Sequence, residues 1–336
     1  MAEQGVELIA GLDRLAVMGF AEILPRIGFF LRLERRLGSL IREGAVDLVV
    51  PVDYPGFNLR IARRARAQGL PVLYYVAPKV WAWRPGRAAG LARTADHVAV
   101  ILPFETDLLR AAGVRATFVG HPLLDRPEQL PTRERFCEAW GLDPGRRLLA
   151  VLPGSRGQEI RRHMRPFVEA AGRIVEAHPD VVPVLARAAG VAAAPLRASG
   201  LPVVDDTRAL LRHAACGIVK SGTATLEAAL EDLPCVIAYR TSAPTWAVAR
   251  RVVKVDHFGL PNLIAGERVV PELIQHDMTP ARIASALLPL LVEGGPEQRR
   301  QLAGLARVRS LLGTPGAAAR VAGLAAGLLE GRPCVS

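Results

Sequence analysis

LLAVLPGSRGQEI, residues 148–160, is the stretch whose reading decides the fold. Its apolar run stops at Pro153 and reads as a short buried strand. Gly154, Ser155, Arg156 and Gly157 follow, and then a basic, helix-like stretch runs to His178. A strand feeding a helix through so short a turn is half of a βαβ unit, which implies a parallel sheet. Small residues in such a turn let backbone N–H groups approach an anion at the helix N-terminus. An arginine there can bind phosphate oxygens through two hydrogen bonds. The turn is neither GxGxxG nor GxxxxGK[ST], so by itself it specifies no particular nucleotide.

The rhythm extends in both directions. Downstream, VVPVLA (181–186), LPVVDD (201–206), CGIVKSG (216–222) and PCVIAYR (234–240) read as strands. TRALLRHAA and TATLEAALEDL read as helices between them, followed by an irregular stretch to residue 270 and a mostly helical tail from Thr279. Upstream, a helix is expected from Pro25, carrying Ile27, Phe30, Leu33, Leu37, Leu40 and Ile41 at helical spacing. VDLVVPV (46–52), LPVLYYV (70–76) and HVAVILP (97–103) read as strands, DYPGFN (53–58) as a loop, and LRIARRARAQG and ETDLLRAAG as helices. ATFVGHP (116–122) reads as a strand and turn. Residues 125–147 are polar, carry three prolines and show no buried strand.

The expected fold is therefore α/β, with two Rossmann-like domains facing a cleft. Residues 1–140 form the first, 141–310 the second and 311–336 a helical tail. Ligands in open parallel sheets sit at the carboxyl ends of the strands, so candidate residues are sought there.

With 43 Lys and Arg against 32 Asp and Glu, the net charge is +11, which calls for an anionic partner such as a phosphorylated substrate, an anionic membrane surface or nucleic acid. An Arg-rich genome would produce the same excess. Cys137, Cys216, Cys235 and Cys334 form no CxxC and no Cys/His cluster, so neither a disulfide framework nor a metal site is expected. The first residues carry no basic n-region, and no signal peptide is expected. The apolar stretch 15–31 is interrupted by Glu22, Pro25 and Arg26; a spanning helix needs about 20 mostly apolar residues, so none is expected.

Asp53 ends a strand, where a carboxylate can accept a proton from a substrate hydroxyl or equally form an Asx-turn or helix cap. VAPKVWAWRPGR (76–87) sets Trp81 and Trp83 beside Lys79, Arg84 and Arg87, as suits a sugar site or membrane interface; two core-anchoring rings are the other reading. His121 closes GHP and reads as a substrate contact or as structural. KSGTATLE (220–227) repeats the small-residue turn, with Ser221, Gly222 and Thr223 at a second helix start. A capping box with Glu227 would need Ser or Thr where Ala224 stands, which leaves Glu227 available to accept ribose hydroxyls. Arg240 and Asn262 follow the last strand and are expected to line the cleft.

DYPGFN, YYVAPKVWAWRPGR, FVGHPLLD, LLAVLPGSRGQEI, SGTATLEAAL, AYR and LPNLIAGERVVPELIQ, in that order, resemble the lipid-A-disaccharide synthase family of glycosyltransferases, of GT-B architecture. WAWR combined with LPGSR and SGTATLE carries the specificity. The resemblance implies a metal-independent, cofactor-free, inverting transfer from UDP-2,3-diacylglucosamine to 2,3-diacylglucosamine 1-phosphate. It implies Asp53 as base and Arg156 as stabiliser of the leaving diphosphate. Gly154, Ser155, Ser221, Gly222, Thr223, Glu227, Arg240 and Asn262 would hold the UDP-sugar, and Asn58, Trp83, Arg84 and His121 the acceptor. It further implies a cytoplasmic protein, peripheral on the inner face of the inner membrane. There it would dock on anionic lipid through Met18–Leu33, with no nucleic-acid partner. Family members usually open with a strand and a GEASGD-type loop ahead of the region matched by Gly5–Phe20. Either the start codon is assigned too late or the protein is truncated, and in the second case an exposed sheet edge and weakened activity are expected. The rival readings are a UDP-N-acetylglucosamine 2-epimerase or muropeptide transferase of the same architecture, and a basic nucleic-acid-binding protein.

Overall fold

The computed structural model describes residues 5–11, 27–78, 88–126, 129–252 and 256–331. Lys79, Trp81, Trp83, Arg84, Arg87, Cys334 and Met18–Arg26 of the proposed docking stretch lie outside the described residues.

Two parallel sheets organise the chain. The first contains β1 (Leu73–Tyr75), β2 (His97–Val100) and β3 (Ala116–Phe118), in that order. The strand expected at 46–52 is reduced to two isolated parallel bridges, Val49 to Val72 and Val52 to Tyr75. Val50 and Val52 stay 40% and 45% exposed, so the apolar run that signalled a buried strand is only half covered. Successive strand residues point to opposite faces. Tyr74, Val98 and Val100 meet α1 (Ile27–Arg42) and α2 (Pro55–Ala67) through Phe30, Phe57 and Ile61. Leu73, Ala99 and Val119 point the other way. The loop expected at 53–58 is thus shorter, because Pro55 starts a helix that contains Phe57 and Asn58; proline is pre-set for a first helical turn.

The second sheet contains β4 (Arg147–Leu152), β5 (Val181–Ala186), β6 (Val203–Val204), β7 (Ala214–Lys220), β8 (Cys235–Tyr239) and β9 (Glu272–Ile274). Its order is β6-β5-β4-β7-β8-β9, all parallel. Leu148 to Val151 are fully buried, as a central strand covered on both faces requires. Leu148 and Ala150 face one core with Leu210, Leu226 and Leu305, and Leu149 and Val151 the other with Phe167, Ile174 and Ile283. From β4 the chain builds outward to β6, then returns to the other side of β4 with β7. The strand order therefore reverses between β4 and β7, and the crevice outside their carboxyl ends is where such sheets bind ligands.

Two segments depart from the expected partition. Residues 133–140 form α3 (Arg133–Trp140), capped by the Thr132 hydroxyl. Its Phe136 and Cys137 are buried in the core of the second sheet, and Arg133 donates to the carbonyls of His213 (2.5 Å) and Arg146 (2.6 Å). This helix packs with the second half, not the first. Two apolar residues were too few to show that in a polar stretch.

The expected tail is a structural member of the first half. Residues Val321, Leu324, Ala325 and Leu328 of the last helix (Ala317–Leu329) cover Leu73, Ala99 and Val119. The Asp125 carboxylate accepts the N–H groups of Gly316, Ala317 and Ala318 at its start. These bonds outweigh desolvation and lower the Asp125 pKa. Arg320 Nε donates to the Val119 carbonyl at 2.7 Å.

Candidate active site at the strand ends

The GSRG turn lies after β4 and the KSGT turn after β7, one on each side of the order reversal. From them run α4 (Gly157–Ala177) and α5 (Thr223–Leu230). In neither helix does the N-cap residue, Arg156 or Gly222, supply a side-chain cap hydrogen bond, which leaves its first-turn N–H groups to find other partners. Two helix N-termini flank the same crevice, the arrangement that attracts phosphate.

The two glycines are required by their backbone. Gly154 has φ 133° and Gly222 φ 147°, values that side chains oppose. A Cβ on Gly154 would also lie 2.7 Å from Glu159 Cβ and Oε2. Arg156 is the N-cap residue of α4; its half-exposed guanidinium is 3.2 Å from Glu159 Oε1. The Ser221 hydroxyl donates to the Phe258 carbonyl at 3.1 Å, so this serine offers the crevice its backbone rather than its side chain. Thr223 opens α5.

Glu227 is half-buried in α5 and accepts from Arg126 NH2 at 2.7 Å. Arg126 follows the short 3-10 turn Pro122–Asp125 of the first half, so this ion pair joins the two halves.

Three residues that sequence reasoning left unassigned support these turns. Glu159 is buried and accepts from Ser155 N at 3.1 Å and from Lys220 Nζ at 2.8 Å, besides Arg156. Burial opposes its ionisation, but the Lys220 ammonium, the Ser155 N–H and Arg156 outweigh it and lower its pKa. One turn along α4, His163 is fully buried. Its Nε2 accepts from Arg240 N at 3.0 Å, so its Nδ1 carries the proton and donates to the Pro153 carbonyl at 3.0 Å. The signal in the sequence was the i, i+4 spacing of Glu159 and His163, which puts both on the helix face toward the turn.

On the first sheet, Asp53 and Tyr54 both take left-handed backbone angles, φ 47° and 46°. Each such non-glycine residue costs of order 1–2 kcal/mol, and strain of this kind gathers at functional sites. Donors hold the strained turn: Asn58 Nδ2 reaches the carbonyls of Val52 (3.0 Å) and Asp53 (2.8 Å), and the Tyr74 hydroxyl reaches that of Asp53 (2.8 Å). The Asp53 side chain is exposed.

Four expected contacts are redirected. Asn58 is spent on the Asp53 turn, as above. His121 is 5% exposed, and its Nδ1 accepts from Leu123 N at 3.2 Å. Burial, reinforced by Arg126, lowers its pKa to about 4, so it is a neutral cap and not a cation for phosphate. Arg240 donates to the carbonyls of Gln275 (3.2 Å) and Met278 (2.7 Å). Asn262 is fully buried: its Nδ2 donates to the Val270 carbonyl and Glu272 Oε1, and its Oδ1 accepts from Val269 N and Val270 N. All four polar valences of that amide are used on Val269, Val270 and Glu272, so Asn262 does not line the crevice. Trp83 and Arg84 fall outside the described residues.

Comparisons with known proteins identify the family and the fold. The family model for lipid-A-disaccharide synthetase matches residues 1–314. The lipid-A-disaccharide synthase of Geobacter sulfurreducens is 42% identical over 331 residues, covering 96% of this chain and 86% of that protein. That of Acidobacterium capsulatum is 42% identical over 359 residues, covering 100% and 88%. Among solved structures, the UDP-GlcNAc 2-epimerase of Neisseria meningitidis bound to UDP-GlcNAc aligns with TM-score 0.61 at 12% identity, covering 94% of this chain and 84% of that one. The UDP-GlcNAc 2-epimerase of Methanocaldococcus jannaschii aligns with TM-score 0.51 at 13% identity, covering 88% and 83%. At such identities the structural likeness speaks for the shared two-domain α/β fold of the GT-B class alone. The family match and the 42% relatives go further: this chain belongs to the lipid-A-disaccharide synthetase family.

Proposed function

We propose that this chain is a hexosyltransferase of lipid A synthesis, moving the sugar of UDP-2,3-diacylglucosamine onto 2,3-diacylglucosamine 1-phosphate and releasing UDP. One observation carries the reading. In a member of this family, two helix N-termini without an N-cap side-chain bond and Arg156 meet at the reversal between β4 and β7, where a leaving diphosphate is best stabilised. Asp53 accepts the proton of the attacking acceptor hydroxyl. Gly154, Ser221, Gly222 and Thr223 cradle the diphosphate through their backbone, Ser155 adds its hydroxyl because its N–H is held by Glu159, and Glu227 takes the ribose hydroxyls. The epimerase alternative shares the fold, but the family match does not favour it. UDP release that requires both acylated sugars tests the proposal; release with either sugar alone, or none, would sink it.

Both substrates carry acyl chains, so the protein is proposed to work against an anionic membrane surface. No helix among the described residues is long and apolar enough to cross a membrane. On α1, Ile27 and Leu31 are exposed one turn apart, with Arg32, Arg35 and Arg36 exposed beside them. Cations near an anionic surface contribute about 1 kcal/mol each, which supports peripheral docking by this face. Cosedimentation with phosphatidylglycerol vesicles, lost at high salt, is the expected behaviour.

A further inference from the structure

We infer that Glu159 is a positioning residue for the transfer: it locks the two anion-binding turns together through Lys220 and aims Arg156 at the departing diphosphate. The inference rests on the function proposed above.

One buried carboxylate spans both turns. Oε2 holds the Ser155 N–H of the first, and Oε1 is shared by Arg156 and by Lys220, the last residue of β7. The Lys220 ammonium lies 5.5 Å over the Tyr239 ring and 3.4 Å from where a Cβ on Gly222 would stand, so it sits directly beneath the second turn. The Gly154 backbone is moulded to the carboxylate closely enough that no Cβ fits between them. Stability does not call for this cluster, since a buried ion pair is often matched or bettered by apolar residues of the same volume. Geometry does. Two cations share one carboxylate, leaving net charge +1 at the base of the crevice, fixed before substrate arrives. Preorganised charge of this kind acts on the transition state more than on the bound ground state.

The test compares UDP affinity by calorimetry with kcat for the full chain. Glu159→Gln keeps an acceptor for Ser155 N but loses the charge that orders Lys220 and Arg156. Its kcat is expected to fall about tenfold or more, a fraction of the loss on deleting one preorganised donor outright. UDP affinity is expected to stay within about threefold, because removing a carboxylate also removes its repulsion of the diphosphate. Glu159→Asp should recover part of the lost turnover. Because Glu159 acts partly through Arg156 and partly through Lys220, the pair Glu159→Gln/Arg156→Ala should be slower than Arg156→Ala by clearly less than the loss Glu159→Gln causes alone. Turnover of Glu159→Gln within twofold of wild type, or losses that simply multiply in the pair, would overturn the inference. If Glu159→Gln does not fold, Glu159→Asp takes its place, since its shorter side chain keeps the charge but no longer spans Ser155 N, Arg156 and Lys220 together. There, reduced kcat with preserved UDP affinity supports the inference, and unchanged kcat refutes it. A wild-type chain that releases no UDP from the two sugars contradicts the proposed function instead, which keeps the two failures apart.

Discussion

The two turns assigned to chemistry are held in opposite ways. GSRG is braced by charge: Glu159, Lys220 and Arg156 on one side, and a buried His163 joining its entry strand to the start of the segment after β8. The Asp53 turn is braced by neutral donors, Asn58 and Tyr74, against two residues in left-handed geometry. In the first, Gly154 accepts the unusual angle at no steric cost. In the second, aspartate and tyrosine occupy such angles and the surroundings bear the strain. The difference suits the proposed roles. A diphosphate cradle must present many donors at fixed positions, whereas a base must present one carboxylate on an otherwise accessible turn.

The comparison can be broken most directly at the base. Asp53→Asn keeps the side chain's volume and removes its basicity. Turnover is expected to fall by about 10³-fold, within the usual range for a lost general base, with UDP affinity unchanged by calorimetry. Lost UDP binding would mean that the residue serves structure instead. Arg156→Ala is expected to cut kcat by about 10²-fold with an unaltered melting temperature; near-normal turnover would remove it from the leaving-group role.

Arg126→Ala probes the link between the halves. In this structure the Arg126 guanidinium occupies the Glu227 carboxylate, which a ribose would have to reclaim. A partly exposed ion pair contributes up to about 1 kcal/mol, so UDP should bind up to about fivefold more tightly in the variant. Weaker binding would make Arg126 a nucleotide ligand in its own right.

The smallest effect concerns His121, whose pKa is held near 4, below the ordinary value of 6.5. Between those values the unfolded chain binds the proton and the folded one does not, so this residue lowers stability as pH falls from 6.5 toward 4. His121→Asn keeps a cap acceptor, with a change below about 1 kcal/mol at pH 7. Urea melts should show a smaller loss of stability between pH 7 and 5 than in wild type. His97 and His163, also lowered chiefly by burial, leave a residual slope.

Strand–turn–helix periodicity made the second sheet legible, because β4 and β7 are long apolar runs ending at small residues. Arg156, Gly154 and Gly222 stood out for the same reason: the turn chemistry is local. Arg240 and Asn262 were misplaced because their partners, Gln275, Met278, Val270 and Glu272, are chosen by tertiary approach, which no spacing encodes. Glu159 does not stand out in the sequence, since an acidic residue in a first helical turn complements the helix dipole wherever it occurs. β9, with three residues, was too short to register in its irregular surroundings.

The closing helix carries a consequence for how the chain is made. Its anchor, Asp125 to Gly316, joins residues 191 positions apart. One face of the first sheet therefore waits, apolar and uncovered, until residues 317–329 are there to cover it. A domain that begins the sequence is finished by the end of it. Its assembly is governed by long-range closure rather than by local pairing, and the second half is free to fold while the first is still waiting for its lid.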